Sequence, residues 1–384
     1  MTESVKSTIL VLNSGSSSLK LGVFQPGGGG EELLLSGSAE GIGQDSGSLR
    51  IQAVDGSVLA EQSPILESQS EALQALASAL QSHLHTQPVS IVHRIVHGGP
   101  HLREHQELTP HVLQELEAAE HFAPLHIPLA LKLVRQAKQI FPDAVHYACF
   151  DTAFHRTLPK VAARFALPEE LFEQGVLRYG FHGLSYESVL YRLKDKLPTK
   201  AVFAHLGNGS SVTAVLEGRS IDTSMGLTPT GGVPMSTRSG DLDPGVLLYL
   251  MRSSEQSADG LEDLLNRQSG LSALSGGDGD MQKLVKAAND GDTTAELAVE
   301  AYCIAVRKYI GAYAALLGGL DLLVFTGGIG EHSAEVRQRI CTGLTFLGIS
   351  SAEDSSIVRV MHAEEELQMA RHCRTLMEGK PLAL

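Results

Sequence analysis

The sequence predicts an α/β protein with mixed sheets, folded as two related domains. Apolar stretches typical of strands alternate along the chain with stretches that have helical spacing, as in sheets flanked by helices. A strand–turn–strand pattern at residues 9–24 recurs at residues 201–215, with Gly15-Ser16-Ser17 and Gly209-Ser210-Ser211 at the same place in each turn. Such a repeat indicates two related halves, and a length of 384 residues suits two domains.

Composition excludes several classes of protein. The net charge of −14 argues against nucleic-acid binding, which needs a basic face. No apolar run approaches the roughly 18 residues of a membrane span, and residues 1–6 lack the features of a secretory signal. The four cysteines have no CxxC spacing, so we expect free thiols in a cytoplasmic protein. An acidic chain that binds anions needs local arginines or a divalent metal to attract them.

The first half is predicted to contain a hairpin, further strands and three helices. Leu73, Leu76, Ala77, Leu80 and Leu84 lie at helical spacing, which predicts an amphipathic helix. The predicted strands are 9–12, 21–24, 33–35, 48–51, 57–59, 91–96 and 145–150, with a surface turn at Pro26–Gly30. The predicted helices are 67–84, 111–120 and 128–141.

The second half is predicted to repeat this style. The predicted helices are 186–193, 261–267, 281–289, 296–317 and 364–378. A hairpin is predicted at 201–216, and short strands are predicted at 220–222 and 322–324. Residues 223–245 are rich in Gly, Thr, Pro and Ser and too long for a simple connection, which favours an active-site loop. The long apolar helix 296–317 is either a core element or a subunit contact, and we favour the core.

Three glycine-rich turns follow apolar strands, at Asn13-Ser14-Gly15, Gly207-Asn208-Gly209 and Gly327-Gly328-Ile329-Gly330. Backbone N–H groups and hydroxyls in such turns suit a phosphate chain. An ordinary Ser/Gly turn is the alternative for any one of them. No Gly-Lys-Ser/Thr follows Gly15, so a P-loop is excluded. The recurrence favours a nucleotide held between two lobes.

Charged and polar residues near predicted strand ends are candidates for chemistry. Arg94 lies among apolar residues and needs an anionic partner, which is either a structural acid or a substrate anion. Arg238 lies between small residues in the long loop. Asp151 ends a strand, where it is a metal ligand, a base or an N-cap. His182 is a catalytic or a core histidine, and Glu364-Glu365-Glu366 is a solvated helix start or a source of a magnesium ligand.

Over essentially its whole length the chain resembles the acetokinase family. Eight stretches carry the resemblance in order: Leu12–Lys20, His93–Gly99, Ala123–His126, Phe150–His155, Tyr179–Gly183, His205–Gly209, Thr237–Pro244 and Thr326–Glu331. The resemblance implies two actin-like (ribonuclease H-like) lobes with mixed sheets flanked by helices and the nucleotide in the cleft between them. The N-terminal lobe would comprise residues 1–151 and a returning helix at 366–384, and the nucleotide-binding lobe residues 152–365.

The resemblance also implies a homodimer that catalyses reversible phosphoryl transfer from ATP to acetate, giving acetyl phosphate and ADP, with Mg²⁺ or Mn²⁺ as the metal. It implies catalytic roles for Asp151, Arg94, His182 and Arg238, and metal binding by Asn13 and Glu365, with Glu366 as the alternative ligand. The acetate pocket would comprise Arg94, Val96, Leu125, Phe181 and Pro229. The nucleotide and its phosphates would be bound by Lys20, His126, His205, Leu206, Gly207, Asn208, Gly209, Asp280, Met281, Gln282, Gly327, Gly328, Ile329 and Gly330.

Three positions depart from the family pattern. Gln282 stands where an arginine is frequent, His332 where asparagine is common, and His362-Ala363 where the family usually has Pro-Thr. These departures concern the nucleotide end of the site. A propionate or butyrate kinase of the same family is a rival interpretation, and an actin-like ATPase that grips a protein partner is another.

Overall fold

The computed structural model describes residues 7–15, 17–28, 30–84, 86–253, 256–349, 355–380 and 382. Within these limits the chain divides into two compact units. Unit 1 comprises Met1–Ala153 and Glu364–Leu384, and unit 2 comprises Phe154–Ala363. Each unit is built on one mixed sheet.

Unit 1 contains eight strands that form a single sheet. Its strands are β1 (Ile9–Ser14), β2 (Ser18–Gly27), β3 (Gly30–Glu40), β4 (Ser48–Ala53), β5 (Val58–Gln62), β6 (Ser90–Ile95), β7 (Gln106–Glu107) and β8 (Val145–Phe150). Its helices before the last one are α1 (Gln69–Gln81), α2 (Pro110–Ala118) and α3 (Ile127–Ile140). The order is β5-β4-β3-β2-β1-β6-β8-β7. β6 runs parallel to both β1 and β8, and the other pairs are antiparallel.

Strand β1 lies in the middle of this sheet, and this position explains why its consecutive residues are apolar. Leu10 and Leu12 join one core cluster with Leu73 and Leu76 of α1. The alternate residues of β1 are equally buried, so both faces of the strand are covered. Continuous apolar sequence is what a strand covered on both faces requires.

Unit 2 contains five strands and most of the helices. Its helices are α4 (Lys160–Ala163), α5 (Glu169–Glu173), α6 (Gly183–Leu193), α7 (Pro244–Ser253), α8 (Ala258–Arg267), α9 (Gly270–Ser275), α10 (Met281–Asn289), α11 (Thr293–Leu317), α12 (Gly327–His332) and α13 (Ala334–Thr342). Its strands are β9 (Lys200–Leu206), β10 (Ser210–Leu216), β11 (Arg219–Thr223), β12 (Leu322–Thr326) and β13 (Val358–Val360). The order is β11-β10-β9-β12-β13, with β12 parallel to both β9 and β13.

The chain ends in α14 (Glu365–Met377), which belongs to unit 1 and packs against β1, β2, β3 and β6. Met369, Ala370 and Cys373 form its buried side. Arg374 extends this contact through an ion pair of 3.0 Å between its Nε and Oε1 of Glu31. The helix is therefore firmly seated on the sheet of unit 1.

The two sheets share one topology. The run β3-β2-β1-β6-β8 in unit 1 corresponds to β11-β10-β9-β12-β13 in unit 2, with the same three antiparallel strands followed by two parallel ones. This correspondence confirms the two related halves predicted from the repeated hairpin. The predicted core role of the long helix is also confirmed, because α11 buries Val299, Tyr302, Val306 and Ile310 in the core of unit 2.

Some elements differ from their predictions. The predicted strand 33–35 is part of the longer β3, and the predicted surface turn at Pro26–Gly30 is shorter, because β2 continues through Gly27 and β3 starts at Gly30. Gly29, in that turn, lies outside the described residues. The elements that were not predicted are short or lack clear periodicity: α4, α5, α7, α9, α12, α13, β7 and β13. The predicted glycine-rich turn at Gly327–Gly330 forms the first part of α12. In the described part of the chain, no helix combines the length and the apolar character needed to cross a membrane.

Two buried histidines face each other in the sheet of unit 1. His93 on β6 and His146 on β8 are joined by a hydrogen bond of 2.9 Å between Nε2 of His93 and Nδ1 of His146. Burial, with the nearby charge of Lys138, lowers the pKa of His146 to about 4. Burial also lowers the pKa of His93 well below its ordinary value. Both rings are therefore neutral in the folded protein at neutral pH.

We predict that protonation of this pair destabilises the protein in mild acid. The folded state binds fewer protons than the unfolded chain in this pH range. The free energy of unfolding is therefore greatest above the unfolded histidine pKa of about 6.5 and decreases as the pH falls toward 4. The decrease that we expect from His146 is about 2–3 kcal/mol. His146→Asn retains a group that can bond to His93 and should flatten the melting temperature between pH 6.5 and 4, measured by circular dichroism. The matched control is His111→Asn at an exposed site. An unchanged slope in His146→Asn would contradict the prediction.

Candidate active site

The tip of the β1–β2 hairpin is a tight turn held by backbone and side-chain bonds. The N–H of Gly15 donates to the carbonyl of Ser18 over 2.8 Å. From the start of α1, Nε2 of Gln69 donates to the carbonyls of Gly15 and Ser18, at 3.0 and 3.2 Å. Ser16 lies outside the described residues. Gln69 therefore fixes the tip from the side of α1, a role that no local sequence signal predicts.

An ion pair joins the ends of two parallel strands in unit 1. Arg94 lies near the end of β6 and Asp151 directly follows β8, and these strands are neighbours. Nη2 of Arg94 lies 2.6 Å from Oδ2 of Asp151, and Nε donates to both carboxylate oxygens at 3.0 and 3.1 Å. Asp151 is 2% exposed. The partner that sequence analysis required for Arg94 is thus an acid of the chain, bound through one edge of the guanidinium.

The remaining nitrogen of Arg94 points to the end of β1. Its Nη1 donates to Oδ1 of Asn13 at 3.3 Å and to the carbonyl of Ser14 at 3.4 Å. Asn13 and Lys20 are register partners across the β1–β2 hairpin, so their side chains share a face of the sheet. Nearby charges of Asp151, Glu365 and Glu366 raise the pKa of Arg94, although its burial opposes the shift. The guanidinium is therefore always charged.

Two glutamates of α14 complete this cluster. Nδ2 of Asn13 donates to Oε2 of Glu365 at 3.2 Å and to Oε1 of Glu366 at 2.8 Å. The two glutamates are half-buried at the first turn of the helix, where the helix dipole favours negative charge. Burial raises the pKa of Glu365, the charge of Arg94 opposes that shift, and Glu366 adds to it. The glutamates thus contact the site rather than forming only a solvated helix start.

The composition of this cluster fits a divalent cation. Asp151 pairs directly with Arg94, and the amide of Asn13 links Arg94 to the carboxylates of Glu365 and Glu366. Hard cations such as Mg²⁺ prefer carboxylate and amide oxygens as ligands, and Asn13, Glu365 and Glu366 carry such oxygens. Burial, and to a smaller extent the charge of Glu366, raises the pKa of Glu365, and a divalent cation would favour its ionised form. Three further predicted residues of unit 1 are half-buried near strand and helix ends: Val96, Leu125 and His126.

Unit 2 places two imidazoles beside an arginine. His182 precedes α6 in a left-handed conformation with φ of 59°, and its Nδ1 lies 2.9 Å from Oγ of Ser211. Its ring stacks on that of His205 with centroids 4.2 Å apart. His205 is in turn oriented by Ser185, whose Oγ lies 2.8 Å from Nδ1. A left-handed conformation is costly for a residue other than glycine and persists where the surroundings fix it.

Gly209 lies between His182 and Arg238. A Cβ built on Gly209 would be 3.1 Å from Nε2 of His182 and 3.7 Å from Nη1 of Arg238. The same guanidinium nitrogen donates to the carbonyl of Pro229 at 3.2 Å. The structure therefore brings His182, His205, Gly209, Arg238 and Pro229 together within unit 2. The absence of a side chain at Gly209 leaves space beside the imidazole of His182 and the guanidinium of Arg238.

Two glycine-rich turns lie side by side in unit 2. β9 and β12 are parallel neighbours, with His205 paired to Thr326. A Cβ on Gly207 would be 3.9 Å from the backbone nitrogen of Gly328, and one on Gly327, whose φ is +78°, would meet the carbonyl of Leu206 at 2.7 Å. Adjacent N–H groups of such turns form an anion-binding surface. Asn208 and Gly328 are exposed there, and Ile329 is half-buried.

The predicted nucleotide residues at the start of α10 have different surroundings. Asp280 caps this helix, and its Oδ1 accepts from the backbone of Gln282 at 2.8 Å and of Lys283 at 3.1 Å. The side chain of Met281 is buried in the core of unit 2, whereas Gln282 is exposed. Phe181 and Gly330 are buried.

Four residues that support the site were not assigned to it from the sequence: Gln69, Ser185, Tyr186 and Ser211. The hydroxyl of Tyr186 lies 2.5 Å from Oγ of Ser211, the group that contacts His182.

Comparison with known proteins identifies the family of the chain. Residues 8–369 match the model of the Acetokinase family. The chain is 42% identical over 390 residues to the acetate kinase of Clavibacter sepedonicus, and this alignment covers 94% of the chain and 97% of that protein. Among crystal structures, Porphyromonas gingivalis acetate kinase matches with a TM-score of 0.84 and 34% identity, over 97% of this chain and 100% of that one. A propionate kinase from Francisella tularensis subsp. tularensis matches with a TM-score of 0.88 and 35% identity, over 96% of this chain and 100% of that one.

These findings define a phosphotransferase with the actin-like two-lobe fold, which confirms the predicted fold class. The chain belongs to the acetokinase family. Membership confirms the predicted activity, which is phosphoryl transfer to a carboxyl group, and supports the prediction that acetate is the acceptor.

We predict that Arg94 is needed for stability as well as for chemistry. Arg94→Ala would leave Asp151 charged, buried and without its main partner, at a cost of about 3–5 kcal/mol. The matched control is Arg94→Ala with Asp151→Ala, which removes both charges and should recover part of the loss. Melting temperatures of the three proteins measure this. A double variant that melts no higher than Arg94→Ala would contradict the prediction.

Proposed function

We propose that the chain catalyses reversible, Mg²⁺-dependent transfer of the terminal phosphoryl group of ATP to acetate, giving acetyl phosphate and ADP by direct in-line displacement. The observation that carries the proposal is the cluster in unit 1, where Arg94 is held by Asp151 and Asn13 beside two glutamates. Such transfer needs alignment and charge neutralisation rather than covalent catalysis. The location we propose is the cytoplasm, in agreement with four free, buried cysteines.

In unit 1, Asn13 and Glu365 would hold Mg²⁺, with Glu366 as the alternative ligand. The ion would neutralise charge on the phosphates. Asp151 holds Arg94 so that its guanidinium can bind the acetate carboxylate and the transferred group. Because acetate is already ionised at neutral pH, Asp151 is not needed as a base. Lys20 and His126 would add positive charge and a hydrogen-bond donor along the phosphates.

In unit 2, His182 and Arg238 would donate to oxygens of the phosphoryl group during transfer. Ser211 engages Nδ1 of His182, so Nε2, which faces Gly209, is the ring atom we assign to the phosphoryl oxygen. His205 and Asn208 would contact the phosphates. The backbone of Leu206, Gly207, Gly209, Gly327, Gly328, Ile329 and Gly330, with Asp280, Met281 and Gln282, would border the nucleotide.

The residues that we propose for contact with the acceptor are Val96, Leu125, Phe181 and Pro229. All four are half-buried or buried. The similarity to a propionate kinase keeps propionate as a second candidate acceptor. One additional methylene changes binding by only about 1–3 kcal/mol, so propionate should be a poorer substrate without being excluded.

The direct test is a coupled assay of ADP release with Mg-ATP and formate, acetate, propionate or butyrate. We expect acetate to give the highest kcat/KM and hydroxamate trapping to detect acetyl phosphate. ATP turnover that does not respond to any of these acids would contradict the proposal and favour an actin-like ATPase.

We predict that the two arginines supply most of the charge stabilisation. Arg238→Ala and Arg94→Lys should each lower kcat by about 10²–10³, as expected for loss of a preorganised donor. Lysine keeps a charge near Asp151 but cannot bind two oxygens in the planar geometry of arginine. Exposed Arg219→Lys on β11 is the control. Activity at the control level in either variant would remove that arginine from the site.

We further propose that the protein is a homodimer that uses α7. This helix buries none of its residues within the chain, although its sequence, Pro-Gly-Val-Leu-Leu-Tyr-Leu-Met-Arg-Ser, is largely apolar. Leu248 is 51% and Tyr249 68% exposed. A contiguous exposed apolar surface of this kind marks an interaction site.

Introducing charge on α7 tests the dimer. Leu248→Glu with Tyr249→Lys should halve the mass measured by light scattering, because charged residues are costly at the core of an interface. The control is Val161→Glu, at an exposed apolar residue of α4. A dimeric Leu248→Glu, Tyr249→Lys variant would exclude α7 from the interface, and a monomeric wild type would exclude the dimer.

A further inference from the structure

Glu331 accepts hydrogen bonds from two segments of unit 2 that are distant in sequence. Its side chain is 10% exposed. Its Oε1 accepts from the N–H of Gly327 at 2.9 Å and from the N–H of Ala363 at 3.1 Å, and Oγ1 of Thr326 lies 3.4 Å away. Its Oε2 lies 2.5 Å from Nδ1 of His362. One carboxylate therefore joins the glycine turn, Gly327–Gly330, to residues 362 and 363.

Residues 361–363, here called the crossover segment, carry the chain from β13 of unit 2 to α14 of unit 1. The N–H of Met361 donates to the carbonyl of Phe325 at 2.9 Å, and Nη1 of Arg192 donates to the carbonyl of His362 at 2.9 Å. Ala363 directly precedes Glu364, and Glu365 follows. The crossover segment is thus anchored within unit 2 immediately before the glutamates of α14.

The electrostatics of the contact favour an ionised Glu331. Burial alone would raise its pKa, but hydrogen bonds from His362, Ala363 and Gly327, with the charge of His362, hold the pKa below its ordinary value. Two charged side chains contact His362: Glu331 of α12 at its ring and Arg192 of α6 at its carbonyl. An ionised acceptor makes each of its hydrogen bonds stronger than a neutral one would.

We propose that Glu331 is a positioning residue that couples nucleotide binding at the glycine turn to divalent-cation binding at Glu365, with His362 supplying part of the hold. A phosphate seated on the glycine turn would fix Gly327, and through Glu331 it would fix the residues that precede α14. The inference rests on the proposed function, because that function assigns the nucleotide and the metal to these two places. Coupling of this kind is reciprocal, so the cation must also tighten nucleotide binding.

The test is calorimetric titration of ADP into the full chain, with and without Mg²⁺. We expect Mg²⁺ to tighten ADP binding in the wild type. Glu331→Ala should reduce that enhancement on the order of tenfold, the size expected for hydrogen bonds to a charged group. His362→Ala should lose part of the enhancement, and His362→Asn, which places an amide nitrogen near the position of Nδ1, should restore it.

Three comparisons separate positioning from general damage. Glu169→Gln, which breaks a surface ion pair with Lys160, should leave the enhancement unchanged. His362→Ala added to Glu331→Ala should have no further effect if both act through one contact. Because His362 is exposed, its variants should fold even if Glu331→Ala does not.

Wild-type enhancement by Mg²⁺ in both Glu331→Ala and His362→Ala would overturn the inference. If Glu331→Ala does not fold, wild-type enhancement in His362→Ala would overturn it. A wild type that couples ADP and Mg²⁺ but forms no acetyl phosphate would refute the proposed function and leave this inference standing.

Discussion

The ion pair between Arg94 and Asp151 is the interaction on which the charged cluster of unit 1 depends. Both groups end neighbouring parallel strands in the interior of the sheet, where an isolated charge would be unstable. Their pairing satisfies one carboxylate and leaves Nη1 directed at Asn13. Asn13 then contacts Glu365 and Glu366, so the strand ends and the last helix form one charged cluster.

The shared topology of the two units explains why glycine-rich segments recur after corresponding strands. In each unit a hairpin leads the sheet, and the first strand of that hairpin has a parallel neighbour. The carboxyl ends of parallel strands lie at one edge, which is where ligands bind in α/β sheets. In unit 1 that edge carries Asn13 and Arg94, and in unit 2 it carries the turns after β9 and β12. In a chain with a net charge of −14, the turns of unit 2 thereby offer N–H groups where we propose that anions bind, whereas the edge of unit 1 carries more carboxylates than cations.

Much of the fold could be predicted from the sequence, because its strongest signals are local. The continuous apolar run of β1, the spacing of Leu73 and Leu76 in α1 and the repeated hairpin each lie within a short window. α7 was missed because its apolar residues cover nearly every position and give no amphipathic period. The requirement of Arg94 for an anion was clear, but its partner is 57 residues away and only the strand order identifies it.

The supporting contacts of the site were less predictable. Gln69 lies at the start of an ordinary helix, and nothing in its neighbours indicates that it clamps the carbonyls of Gly15 and Ser18. Glu331 and His362 were noted separately in the sequence, but their contact depends on β12 and β13 being paired. Such residues act through tertiary structure, for which a single sequence has no local signal.

The excess of carboxylates in the cluster around Arg94 is completed, we propose, by a divalent cation. The most direct measurement is anomalous diffraction from crystals grown with Mn²⁺ and a non-hydrolysable ATP analogue. We expect a peak within coordination distance of the Asn13 amide oxygen or the carboxylate of Glu365 or Glu366, about 2.0–2.6 Å or one bridging water away. A well-ordered nucleotide whose Mn²⁺ has no contact with these residues, directly or through water, would contradict it.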